Sequence, residues 1–317
     1  AHRGPTLLAP ACGPGGRPVE AFDHLHAQVK TTDQRRTLQQ GTLSGQEAKP
    51  LPYMLAQMNL LLHGLEAPQI AYGNTLERRI NEIGHAERVD VILTNPPFGG
   101  EEEAGIKANF PPTMQTAETA LLFLQYIMRK LRVAGAPTFH GSAGKKAAKR
   151  GGRAAVVVPN GTLFGDGVAA VIKAELLKEF NLHTIVRLPQ GVFAPYTDIP
   201  ANLLFFERGG PTQSIWYYEL PLPEGRKEFS KTAPRQCDEF APVLAWWAQR
   251  EEGPQAWQVS AADIVASNYN LDRKNPNAKA GLEYADPKDL IASMRGHEAE
   301  VMRLLGEIEA LVAEVQA

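Results

Sequence analysis

The chain has 317 residues, 44% hydrophobic and 21% charged, which is enough apolar material for a substantial core and too little charge for a disordered tail. With 33 Lys and Arg against 35 Asp and Glu, the formal net charge is −2. That excludes gripping nucleic acid by bulk positive charge, so any such contact has to be local or shared with a partner. Two cysteines, Cys12 and Cys237, exclude a disulfide framework and zinc-finger spacing. Apolar runs such as Leu203 to Phe206 are too short for a bilayer and none reads as a signal peptide, so the expected address is the cytoplasm with no membrane contact.

In chain order, short β-branched runs alternate with helical patterns. Strand Thr6–Leu8 leads through a glycine cluster into a helix at Val19–Val29. Strands Thr42–Gly45 and Gln69–Tyr72 follow, separated by a helix at Pro52–His63, and a helical pattern at Leu76–Ile83 precedes strand Val89–Thr94. A polar loop spans Phe98–Thr116, then come helix Glu118–Leu131, a Gly-, Ala- and Lys-rich loop at Ala134–Arg150 and strand Arg153–Val158. Helix Val168–Phe180 and strands Thr184–Leu188 and Asn202–Phe206 complete the series. The alternation predicts an α/β fold, a doubly wound, mostly parallel sheet with helices on both faces.

After the turn signal Arg208-Gly209-Gly210-Pro211, Ser214–Leu220 reads as a strand and Trp246-Trp247 as core or interface. A helix is predicted from Asp286 to Ala317, with Val301, Leu304, Leu305, Ile308, Leu311, Val312 and Val315 on one narrow apolar stripe. Two domains are expected: a catalytic domain over residues 1–210, and over 211–317 the end of the sheet with a helical extension. Ala1 stands where a methionine would, and a strand pattern begins within a few residues, so the chain reads as a piece of something longer.

The richest segment is Asp90-Val91-Ile92-Leu93-Thr94-Asn95-Pro96-Pro97-Phe98-Gly99-Gly100. A buried strand runs into two prolines that fix the backbone and keep it out of a helix. An amide side chain and a free carbonyl then sit at the carboxyl end of a strand, beside an aromatic ring, where open α/β sheets bind ligands. This suits a planar substrate bearing an amino group. Asn95 and the Pro96 carbonyl accept its two N–H bonds, Pro97 fixes the turn, and Phe98 stacks on the ring. Upstream, Gly13, Gly15 and Gly16 precede a helix, where glycine lets a ligand approach the backbone and the helix start favours a carboxylate. Glu47, at the end of the second strand, suits ribose hydroxyls as well as it suits a solvated helix start. The eight histidines show no metal-ligand spacing, and His63 is read as packing. Lys145, Lys146, Lys149, Arg150 and Arg153 form a basic run, either a solvated loop or a phosphate contact.

Asn95-Pro96-Pro97-Phe98 after an apolar strand resembles the catalytic motif of amino-group DNA methyltransferases. The wider sequence resembles the modification subunit of type I restriction–modification systems along nearly its whole length. The resemblance rests on Pro10-Ala11-Cys12-Gly13-Pro14-Gly15-Gly16, Met58-Asn59-Leu60-Leu61-Leu62-His63-Gly64, Val158-Pro159-Asn160-Gly161, Arg187-Leu188-Pro189-Gln190-Gly191-Val192-Phe193 and Asn270-Leu271-Asp272-Arg273-Lys274-Asn275-Pro276. It implies S-adenosylmethionine as cofactor, with Pro10, Ala11, Gly13 and Gly15 around the methionine part, Glu47 on the ribose and Asn74 on the adenine. It also implies methylation of the adenine 6-amino group in DNA. The partners implied are DNA, a specificity subunit, a second modification subunit and a restriction subunit. The terminal stripe is read either as the surface a specificity subunit receives or as folding back on its own domain. Two other readings remain: methylation of a protein glutamine amide, which uses the same motif, and an assembly subunit that has kept the fold and lost the cofactor. Ala9 stands where the family has an acidic residue, Pro14 replaces a residue with an N–H, and Arg17 replaces an aromatic. These departures predict weak cofactor binding.

Overall fold

A computed structural model of the protein describes residues 5–135, 150–223, 229, 230, 232, 236–277, 295, 298, 301–306 and 308. Most of the loop expected at Ala134–Arg150, with Lys145, Lys146 and Lys149, lies outside the described residues, as do Leu311, Val312 and Val315. The chain opens with β1 (Leu7–Ala9), α1 (Gly16–His26), α2 (Thr32–Gly41), β2 (Leu43–Glu47), α3 (Pro50–Leu62), β3 (Ile70–Tyr72) and β4 (Val91–Thr94). Next come α4 (Ala104–Lys107), α5 (Thr119–Lys130), β5 (Arg153–Pro159), α6 (Gly167–Glu179), β6 (Asn181–Arg187) and β7 (Ala201–Glu207). β8 (Ser214–Glu219), α7 (Ala241–Gln249), β9 (Ala256–Ser260) and α8 (Ala261–Ala266) follow.

The nine strands form one sheet in the order β3-β2-β1-β4-β5-β7-β6-β8-β9. The first five of these are mutually parallel, β7 is inserted antiparallel between β5 and β6, and β9 runs antiparallel on β8. The expected mostly parallel α/β sheet is therefore present. Strand order reverses between β1 and β4, which creates the crevice in which open sheets of this kind bind ligands.

Two apolar layers cover the two faces. On one, α5 buries every residue from Thr119 to Met128, and Leu121, Leu122, Leu124 and Ile127 pack with Ile92, Val156 and Leu204. On the other, Phe22, Leu38, Ala56 and Leu60 pack on Leu7, Ala9 and Leu43. Each fully buried Leu, Ile or Phe side chain contributes roughly 1.5–3 kcal/mol. β8 and β9 belong to the same sheet as the earlier strands, and the first of two compact units runs from Ala1 to Asn277. The second unit is Ala278–Ala317; in it Val301, Leu304, Leu305 and Ile308 are exposed, with 301–306 helical.

Three expectations change. Leu76–Ile83 is not one helix but two 3-10 turns, Thr75–Glu77 and Ile80–Glu82. Asn109 Nδ2 donates to the carbonyls of Leu76 and Glu77, and the Ile80 N–H donates to the Asn109 carbonyl, so the groups a helix would pair are taken. α2 was not expected, although Thr31 and Gln34 form a full capping box at its start. His63 is not packed. It is exposed at the end of α3, with Nδ1 2.9 Å from Asp23 Oδ2.

Candidate active site

The carboxyl ends of β1, β2 and β4 lie side by side, because Ala9 pairs with Gly45 and Leu8 with Ile92. From β1 the chain enters a loop tied on both sides. The Cys12 N–H donates to the Gln46 carbonyl at 3.1 Å, and the Thr75 hydroxyl donates to the Pro10 carbonyl. Gly13 is left-handed at φ +56°, and a Cβ there would meet nothing within 4 Å. Gly15 is left-handed at φ +90°, and a Cβ there would lie 2.9 Å from the Ala56 Cα, so only glycine lets α1 and α3 approach this closely. Asn59 Nδ2 donates to the Pro14 carbonyl, adding a second tie from α3.

Glu47 ends β2, as expected. Its Oε2 accepts the Gly13 N–H at 2.9 Å and its Oε1 accepts the Lys49 N–H at 3.0 Å. The Cys12 thiol is pushed up to about 12, first by burial and then by the Glu47 charge. Asn74 follows β3. Its Oδ1 accepts the Leu76 N–H at 3.0 Å, and its Nδ2 makes no hydrogen bond within the described residues.

On the far side of the crevice, β4 delivers Asn95-Pro96-Pro97-Phe98. Pro96 is buried, Pro97 exposed, and Asn95 and Phe98 are half-buried. Asn95 Oδ1 is itself buried and has no hydrogen-bond partner among the described residues, nor has the adjacent Thr94 hydroxyl. Phe98 meets Phe193 edge to face, with ring centroids 5.4 Å apart. Phe193 was not singled out as a site residue. Its signal was the segment Arg187–Phe193, in which Gly191 is left-handed and a Cβ would collide with the Phe229 backbone. Among the described residues no group of three or more His, Cys, Asp or Glu is placed to hold a metal ion.

The family model described as N-6 DNA Methylase matches residues 2–141 and 143–283. The chain belongs to the N-6 DNA methylase family. It is 47% identical to the EcoEI type I restriction enzyme methylase subunit of Escherichia coli over 99% of its own length and 62% of that subunit's. Among solved structures it is similar to a modification subunit assigned to a type I restriction enzyme of Vibrio vulnificus YJ016. There the TM-score is 0.80 with 59% identity, covering 87% of this chain and 56% of that one. It is also similar to a chain from a study of type I R-M system assembly and conformational transition, with TM-score 0.78 and 40% identity over 98% of this chain and 62% of that one. The chain thus spans less than two thirds of these relatives' length.

In this N-6 DNA methylase chain the three departures in the glycine loop have distinct surroundings. Ala9 is fully buried among Leu7, Cys12, Val19 and Phe22. Pro14 is exposed. Arg17 is half-buried in the first turn of α1, has no ion pair among the described residues, and is pushed down from its ordinary value by burial alone. No acidic residue stands in that first turn. No helix of the described residues is long and apolar enough to cross a membrane.

Proposed function

We propose that the chain is the methyltransferase core of a type I modification subunit, transferring a methyl group from S-adenosylmethionine to the exocyclic 6-amino group of adenine in DNA, in the cytoplasm. The observation that carries this reading is Asn95 Oδ1, a buried acceptor without a donor among the described residues, at the crevice between β1 and β4. Leaving such an atom unmet costs roughly 1–3 kcal/mol, and an amino N–H is the group that satisfies it.

The opposite wall suits the cofactor, whose sulfonium supplies an electrophilic methyl. The Glu47 carboxylate spends one lone pair on Gly13 and one on Lys49 and keeps others for ribose hydroxyls. Asn74 Nδ2 is free to donate to an adenine ring. Pro10, Ala11, Gly13 and Gly15 line the loop, and no Cβ obstructs it at Gly13. Toward the substrate, Asn95 Oδ1 and the Pro96 carbonyl accept the two amino hydrogens, which concentrates the nitrogen lone pair for attack. Phe98, braced by Phe193, stacks on the base. A base inside a duplex is out of reach of these groups, so the adenine is flipped out. The catalysis is positioning, with no covalent enzyme intermediate.

The net charge of −2 favours DNA contact in a complex, with a specificity subunit, a second copy of this subunit and a restriction subunit as partners. The exposed Val301, Leu304, Leu305 and Ile308 are the proposed contact to the specificity subunit. Supplying labelled S-adenosylmethionine with duplex DNA and, separately, a glutamine peptide tests the reading. Label in N6-methyladenine supports it, label in methylglutamine replaces it, and absence of both cofactor binding and transfer leaves an assembly role.

A further inference from the structure

A second cavity lies at the other edge of the sheet. β6 runs in the same direction as β4, so Asn181 and Ser214, which start β6 and β8, lie at the amino ends of the strands, opposite the crevice that holds Asn95. These residues, the turn between β7 and β8, His183, Trp216 and Arg250 line an open cleft of about 430 Å³. Nothing in the methyl-transfer reading uses it.

Its polar groups are arranged as donors. Arg250 follows α7, with its N–H bonded to the Trp246 carbonyl at 2.7 Å and its guanidinium 4.6 Å from the Trp247 ring. The guanidinium lies 3.3 Å from His183 Nδ1, and a guanidinium has only hydrogens to offer, so Nδ1 is the acceptor. The Thr184 hydroxyl, 2.9 Å from the same nitrogen, therefore donates to it too, and the ring proton sits on Nε2. Ser214 Oγ accepts from Gln258 Nε2 at 2.6 Å, which leaves its own hydrogen to donate. No carboxylate of the described residues pairs with Arg250; Glu207 acts on it only through space.

A half-buried guanidinium, an imidazole N–H and a hydroxyl belong to the lining of this cleft, which includes no carboxylate, and that set suits an oxyanion, since a guanidinium matches phosphate oxygens in pairs. The volume exceeds what a bare phosphate fills and lies in the range of small-molecule sites. Trp216, half-buried and edge to face with Trp246 at 5.8 Å, also lines the cleft and supplies an aromatic ring of the kind on which bases stack. We propose that this cleft binds a nucleoside monophosphate, with the phosphate on Arg250 and His183 and the base against Trp216.

Guanosine monophosphate is the probe, because the crevice at Gly13 and Glu47 is read as an adenosine site. Binding is followed by the fluorescence of Trp216 and Trp247, two of the four tryptophans. The nucleotide is expected to saturate the signal and to bind at least tenfold more tightly than guanosine, which lacks the phosphate. Arg250→Gln should weaken the nucleotide at least tenfold without changing guanosine, and Arg250→Lys should recover part of the loss. Trp216→Leu should weaken the nucleotide and spare inorganic phosphate. Equal binding of nucleotide and guanosine, an Arg250→Gln variant that binds like the wild type, or saturation by duplex DNA alone overturns the proposal. If Arg250→Gln fails to fold, the nucleotide-to-guanosine ratio on the wild type decides.

Discussion

Glu47 holds Gly13: its Oε2 accepts the Gly13 N–H at 2.9 Å, joining the end of β2 to the glycine loop after β1. One carboxylate thus ties the loop to the strand end beside it. Glu47→Ala should weaken S-adenosylhomocysteine roughly ten- to a hundredfold, since a hydrogen bond to a charged group contributes about 1.5–3 kcal/mol. Glu47→Gln should recover part of it. Calorimetry on the three proteins checks this, and unchanged affinity in the alanine variant would remove Glu47 from the cofactor site.

Phe98→Ala should weaken capture of the flipped base by roughly 1–3 kcal/mol, the value of one base–aromatic stack. Phe98→Tyr keeps the ring and its edge contact with Phe193, so it should be tolerated. The check is the KM for DNA in steady-state methylation, with cofactor affinity as the control that should not move.

Arg17 and Ala9 predict that this chain binds the cofactor weakly. A missing charge-assisted contact is worth about 1.5–3 kcal/mol, and micromolar affinity for S-adenosylmethionine would contradict the prediction. Arg17→Phe should raise the melting temperature, because it replaces a half-buried cation that has no ion pair. Ala9→Asp restores the acidic residue and should tighten S-adenosylmethionine by about the worth of that missing contact, at a cost in melting temperature because Ala9 is buried in an apolar cluster.

His183 sets a pH dependence. Burial first, and the Arg250 charge second, push its imidazole from 6.5 down to about 4. Between these values the unfolded chain takes up a proton that the folded chain does not. The stability this group confers is therefore fully present above about pH 6.5 and is lost as pH falls toward about 4. His183→Gln should flatten that stretch of the melting-temperature profile. A wild-type profile parallel to that of the variant between pH 4 and 6.5 would refute the assignment.

Much of the site was legible because its parts are local. Asn95 to Phe98 follow directly from a strand, and Gly13, Gly15 and Glu47 mark strand ends that a parallel sheet brings together. What escaped the sequence depends on distant partners. Asn109 takes the carbonyls that a helix at Leu76–Ile83 needs, 32 and 33 residues away. Arg250 and His183 lie 67 residues apart, so no spacing rule connects them. Phe193 reaches Phe98 only because β7 returns antiparallel beside β5. His63 ends an apolar helix, but six large apolar residues of that helix, Leu51, Met54, Leu55, Met58, Leu61 and Leu62, are exposed with it, so apolar character alone did not signal burial.

The proposed role of Asn95 is to hold the amino group of a flipped adenine. Its most direct test is mass spectrometry of nucleosides from DNA incubated with S-adenosylmethionine, a specificity subunit, and either the wild type or Asn95→Ala. N6-methyladenine should form with the wild type and be absent with the variant. The variant should still bind S-adenosylhomocysteine and melt no lower, because the substitution removes a buried acceptor that has no donor among the described residues. N6-methyladenine formed by Asn95→Ala at the wild-type rate would rule out that role for Asn95.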